Sequence, residues 1–128
     1  MSTKNKTKKF PKTLTIKRSR WCRGGKYGES SLLNKEGFMC CLGFLGLACG
    51  LSDDQIYLVK EPGVQPSLSC PSNPHVRLHK SFFPIPASGD WDNLMDLNDS
   101  VSMRDARREK ELAALFKAEL DMKIRFVD

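Results

Sequence analysis

The chain has 128 residues, 40% hydrophobic and 28% charged, with a formal net charge of +6. That length suits one domain with a single modest core. The longest apolar run, Phe38 to Gly50, is 13 residues long, short of the roughly 20 that a membrane helix needs, and the charged N-terminus lacks the apolar centre of a signal peptide, so a cytoplasmic protein is expected.

The charge is uneven. Residues 1–35 hold eleven Lys or Arg against one acid, Glu29, while the remainder carries four more acids than bases. An anionic partner for the N-terminal quarter is plausible on electrostatic grounds, and a solubilising tail is the bland alternative. The five cysteines are odd in number, Cys40 and Cys41 are adjacent, and three lie in the apolar run. Buried thiols of this kind behave as small hydrophobes, so no disulfide scaffold is expected.

In chain order, residues 1–12 are rich in Lys, Thr and Asn, with almost nothing to bury. They read as a flexible basic arm closed by Pro11. The alternation in Thr13-Leu-Thr-Ile-Lys17 predicts a strand with Leu14 and Ile16 facing the core. Arg18 to Gly28 interleaves basic and aromatic side chains around Gly24-Gly25. Ser30 to Leu33 suits a second strand.

The run from Phe38 to Gly50 predicts a central buried helix. Gly43, Gly46 and Gly50 fall at i, i+3 and i+7 and share one face, which lets another backbone approach closely. Gly50 also suits a C-cap. Ser52-Asp-Asp-Gln55 predicts the cap of a short helix. Residues 61–90 hold six of the seven prolines and read as an irregular excursion, pinned to the core by Phe82 and Phe83. Asp90 to Asp99 predicts a short helix with Leu94 and Leu97 inward. Ser102, three residues before Asp105, suggests the start of a longer helix ending near Leu120, with Leu112, Leu115, Phe116 and Leu120 as its apolar stripe. Arg107, Arg108, Lys110 and Glu111 form its solvated face. Met122 to Val127 alternates and closes the chain as a strand beside Leu14–Ile16.

The combination of Trp21-x-Arg-Gly24, Gly37-x-Met-Cys-Cys-Leu-Gly43 and Leu94-Met-x-Leu-Asn-Asp99 resembles a set of small phage and bacterial proteins. These share an Arg-Gly, a Cys-Cys-Leu-Gly helix start and a late Leu-Asn-Asp. The resemblance spans most of residues 14–128 outside the proline-rich middle. It implies a phage or prophage setting, where small proteins often interfere with host defence.

Four constellations carry chemistry. Arg18, Arg20, Trp21, Arg23, Lys26 and Tyr27 suit phosphate forks and base stacking, and the glycine turn would add backbone N–H groups. Equally, Trp21 suits the core and the arginines suit solvent. The start of the central helix, with Met39 opening it, would bring Cys40 and Cys41 to a positive helix end that lowers thiol pKa values; a packed, inert pair is favoured. Cys70, His75 and His79 supply three of the four ligands that a structural zinc site needs. Asp90, Asp92, Asp96 and Asp99 form an acidic cluster better suited to caps and solvent than to a metal.

The expected fold is therefore α+β, a small antiparallel sheet packed on the central glycine-faced helix and the long C-terminal helix. The leading expectation for function is sequestration of an anionic nucleotide-type ligand, such as a host immune signal, without turnover and without cofactor or metal. The alternative is a binder of nucleic acid or of an acidic host defence protein through the basic N-terminal region. A phosphate-ester hydrolase ranks third. A homo-oligomer is compatible with either binding role.

Overall fold

The structure, a computed structural model, describes residues 10–28, 30–60 and 83–128. Strand β1 (Thr13–Lys17) leads through a single 3₁₀ turn (Arg18–Arg20) to an extended segment and then to helix α1 (Cys41–Ala48). Helices α2 (Asp53–Ile56), α3 (Asp92–Asp99) and α4 (Asp105–Leu120) follow, and strand β2 (Lys123–Val127) ends the chain. The fold is mixed α+β, as the patterning suggests.

The sheet corrects one expectation. β1 and β2 pair in parallel, not antiparallel, from Thr13 opposite Lys123 to Lys17 opposite Val127. Alternation reads the same in either direction, so it cannot fix strand polarity. The end of α4 decides it. Asp121 adopts the left-handed conformation at φ 55°, and Lys123 N then donates to Lys12 O at 3.0 Å. β2 therefore starts where β1 starts, and residues 18–122 form one long crossover, as parallel pairing requires.

Ser30–Leu33 is not a sheet strand either. Leu32 N donates to Val59 O, Leu33 bridges Tyr57, and Cys40 N donates to Ser31 O. The segment is an extended spacer beside α1, and α1 needs Gly43 because of it. A Cβ on Gly43 would stand 1.8 Å from Leu32 O, whereas one on Gly46 would press on Ile56 and Phe83. Gly50, at φ 102°, closes α1. Its N–H bonds Leu47 O, and the Leu51 N–H reaches back to Gly46 O, the two bonds of a Schellman cap. The helix starts at Cys41, two residues later than Met39, because Met39 is held as a parallel bridge to Trp21.

Leu14, Ile16, Leu42, Leu45, Leu94, Leu112 and Phe116 are all buried in one core. Ser52 caps α2 through a reciprocal capping box with Gln55. Ser102 plays no such part for α4. Arg104 occupies the N-cap without a side-chain bond, and the Ser102 hydroxyl reaches only that of Ser100. Arg108 is a second correction, since it lies not on a solvated face but 2% exposed. Its guanidinium donates to the carbonyls of Leu97, Asn98, Ser100 and Met103 at 2.7–3.1 Å. It thereby satisfies acceptors that the end of α3 leaves open.

Most of the expected arm, most of the proline-rich excursion, and the Cys70, His75 and His79 group lie outside the described residues. Phe10 packs against the core. Phe83 is buried edge-on to Trp91, with ring centroids 5.7 Å apart. Ala87 N and Ser88 N donate to the backbone and carboxylate oxygens of Glu119.

Candidate functional site

The basic and aromatic residues singled out in the sequence meet different fates. Gly24 (φ 54°) and Gly25 (φ 87°) form a two-residue turn that returns Lys26 N to Arg23 O at 2.8 Å. Positive φ at both central positions is what such a turn demands. It brings Arg23 and Lys26 side by side over Asp105 on α4. Lys26 Nζ lies 2.9 Å from the Asp105 carboxylate, Arg23 Nη2 3.5 Å and Arg108 Nε 3.6 Å. The Lys26 bond, with the charges of Arg23 and Arg108 behind it, holds the Asp105 carboxyl below its usual pKa.

Trp21 has no exposed face to offer a base. It is 0% exposed, packed on Phe126 at 5.3 Å between ring centroids, with the Arg23 guanidinium 4.5 Å from its ring. Arg23 also donates to Trp21 O and Arg18 O. Arg18 forks onto Glu109 and reaches Asp128, bonds that raise its pKa. Arg20 is exposed but donates twice to Gly37 O. Tyr27, also exposed, stacks on Phe38 at 4.7 Å. The structure spends most of this cationic set on the protein itself.

The three motif pieces converge on Asn98, a residue whose role sequence reasoning missed. Its Oδ1 accepts from Trp21 Nε1 at 2.8 Å and from Cys41 N at 3.0 Å. Its Nδ2 donates to Cys22 O and Asp99 Oδ1, and its backbone carbonyl accepts from Gly24 N. Beside it, Ser30, Cys40, Leu42, Lys60, Met95 and Asp99 line a cleft of about 170 Å³. The thiols there are not activated. Burial pushes Cys40 up to about 12 and Cys41 well above its ordinary value, overriding the helix end. A wider groove of about 680 Å³ runs between α3 and α4 over Leu97, Met103 and Leu115. Asp96 and Glu111 stand on its rim, the wrong sign for an anion.

The acidic cluster does not converge on a point. Asp90 caps Asp92 N, and Asp99 is held by Ser30 and Asn98. Among the described residues, no three His, Cys, Asp or Glu are placed to hold a metal ion.

No family model matches this chain, and no curated protein or solved structure matches it. The surface itself is what remains to be read.

Among the described residues, the outer face of the β1–β2 ribbon is a cationic surface that stays uncommitted. Leu14 and Ile16 turn inward, so alternation puts Thr13, Thr15 and Lys17 outward on β1 and Lys123, Arg125 and Val127 outward on β2; all are exposed except the half-buried Val127. Among the described residues no acid pairs with Lys17, Lys123 or Arg125. At one end, Lys12 and Lys117 border a shallow depression of about 280 Å³ with Thr13 and Lys123. The acid there, Asp121, is held by Lys117 at 2.8 Å, which lowers its pKa. At the other end Asp128 is held by Arg18. The face thus keeps a net positive charge. The sequence contained the signal, in the polar positions of the two alternating strands. Only the parallel register shows that they form one surface.

Proposed function

We propose that this chain is a non-catalytic binding protein whose basic N-terminal region and ribbon face engage nucleic acid. The observation that carries the reading is the uncompensated cationic face of Lys17, Lys123 and Arg125, flanked by Lys12. Phosphates are drawn to such a surface, and bound counterions are released on contact. The Lys-rich residues 1–9 precede β1 in the sequence. In the phage setting that the sequence resemblance implies, such a protein would act on host defence by occupying nucleic acid.

Sequestration of a nucleotide signal draws less support. Of its six residues, Trp21 is buried and Arg18, Arg23 and Lys26 are ion-paired. The thiols of the α1 cleft, raised by burial, speak against thiolate chemistry there.

The test is binding of the full chain to a mixed pool of single- and double-stranded nucleic acid, measured against salt. Affinity should fall steeply as salt rises. The variant Lys17→Glu/Lys123→Glu/Arg125→Glu should lose most of it while keeping its fold. Salt-independent or absent binding sinks the reading. A discrete added mass of nucleotide size in native mass spectrometry, after exposure to lysate, would favour sequestration instead.

A further inference from the structure

We infer that the ribbon face is built for the major groove of duplex DNA. This rests on the nucleic-acid reading above and narrows it to one class of partner.

Shape comes first. β1 and β2 pair over five residues each. Paired strands stand about 4.8 Å apart and same-face residues about 6.6 Å apart along a strand. A two-stranded ribbon of that width is one of the elements that the roughly 12 Å major groove of B-DNA admits. The ribbon is backed on its inner side by Leu14 and Ile16, both buried, so the outer side chains project from a rigid support. A-form RNA offers a deep, narrow major groove that side chains do not read.

Side-chain chemistry points the same way. Arg125 sits opposite Thr15 in register, and Lys123 opposite Thr13. The outward centre of the ribbon is therefore Arg125 next to Thr15, with Lys123 and Thr13 one step along at the end nearest Lys12. Arg and Lys pair with guanine O6 and N7, and Thr offers a hydroxyl and a methyl for base edges and thymine. Lys12 lies at one end and Lys17 at the other, where phosphates flank a groove.

The face also lacks what single strands require. Sequence-tolerant single-strand binding leans on aromatic platforms. The outward residues of the ribbon, Thr13, Thr15, Lys17, Lys123, Arg125 and Val127, include no aromatic ring. The exposed Tyr27 is in the Gly24-Gly25 loop, stacked on Phe38.

The experiment titrates the full chain with labelled duplex DNA, with one of its strands alone, and with the matching RNA duplex, at several salt concentrations. Duplex DNA should bind roughly tenfold or more tighter than the others. Guanine N7 in the bound duplex should be protected from methylation. Arg125→Lys keeps the charge but replaces the planar fork with a point charge, so it should weaken duplex binding and reduce that protection while leaving the salt slope nearly unchanged. Lys17→Ala should lower the salt slope by about one. If the single strand or the RNA duplex binds as tightly, or N7 stays reactive in the complex, the major-groove inference is overturned while the nucleic-acid reading stands. If nothing binds even at low salt, both fall together.

Discussion

Trp21 and Asn98, 77 residues apart in sequence, are joined by a buried hydrogen bond of 2.8 Å from the indole Nε1 to the amide Oδ1. The same oxygen accepts from the first N–H of α1, and the amide nitrogen holds Cys22 O. One side chain thus fixes the end of α3, the start of α1 and the segment leaving β1. Asn98→Ala would leave an indole N–H, a helix N–H and a carbonyl without partners in the core. Each such loss costs about 1–3 kcal/mol before relaxation. A net destabilisation of on the order of 3 kcal/mol is expected in chemical denaturation. A loss below 0.5 kcal/mol would mean that the hub is not structural.

Gly43 gives the second prediction. Its missing Cβ leaves room for Leu32 O, which would otherwise be 1.8 Å away. Backbone cannot give way as a flexible side chain does. Gly43→Ala should therefore cost about 3 kcal/mol or more, despite alanine's better helix propensity. Gly50→Ala is strained for a different reason, its φ of 102°, since nothing lies within 4 Å of an added Cβ. It should cost less, about 1 kcal/mol. The reverse ranking in thermal melts would contradict this packing.

These two residues show where the sequence was legible. Of the three spaced glycines in the apolar run, Gly43 alone meets a neighbouring backbone, while Gly46 faces the side chains of Ile56 and Phe83 and Gly50 serves as the expected cap; the spacing is a local signal, but what packs against it is not. The inward positions Leu14, Ile16, Leu94, Leu112 and Phe116 follow from periodicity, a local signal too. What alternation could not carry is strand direction, which depends on how α4 delivers β2 to Lys12. Arg108 was illegible too. Its position in an otherwise charged stretch looks solvent-facing, and only the carbonyls of Leu97, Asn98 and Ser100 at the end of α3, with Met103 O in the link to α4, explain its burial. The cations of the Arg18–Tyr27 loop suggest a ligand site because sequence shows the charges but not their partners: Glu109 for Arg18, Asp105 shared by Arg23 and Lys26, and Gly37 O for Arg20.

Arg108 can be tested directly. Arg108→Met keeps much of the buried stem volume and removes the donors. It would strand the carbonyls of Leu97, Ser100 and Met103 and leave Asn98 O with Gly24 N alone, so a loss of about 3 kcal/mol is expected. Hydrogen exchange should rise first at the end of α3. An unchanged exchange pattern would show that the carbonyls find other partners.

Asp105 supplies a pH dependence. Its folded pKa is lowered, first by the Lys26 bond and then by neighbouring positive charge. The unfolded state therefore binds its proton more readily than the folded state. Asp105 stabilises the fold above the ordinary carboxylate pKa of about 4, and that contribution disappears as pH falls through the lower folded value. Carboxylate NMR should give a midpoint below 3.8. Lys26→Met should move it upward and shrink the acid-side loss of stability. An unmoved midpoint would show that Lys26 is not the cause.

Cys40 and Cys41 stand at the start of a helix, where a positive end favours thiolate, yet both pKa values rise. Burial decides, since Cys40 is 4% and Cys41 0% exposed, and a thiolate there would lose its hydration. At pH 8, alkylation followed by peptide mass mapping should label Cys49, half-buried at the end of α1, well before Cys40 or Cys41. The folded state keeps its thiol protons to about pH 12 at Cys40, whereas the unfolded chain releases them near pH 8.5. Stability should therefore be flat below that value and decline as pH climbs above it. Cys40→Ala should flatten part of this alkaline decline, after allowance for its cavity. Fast labelling of Cys40 in the native protein at pH 8 would instead mean that the start of α1 opens readily, and the inert reading of the cleft would have to be abandoned.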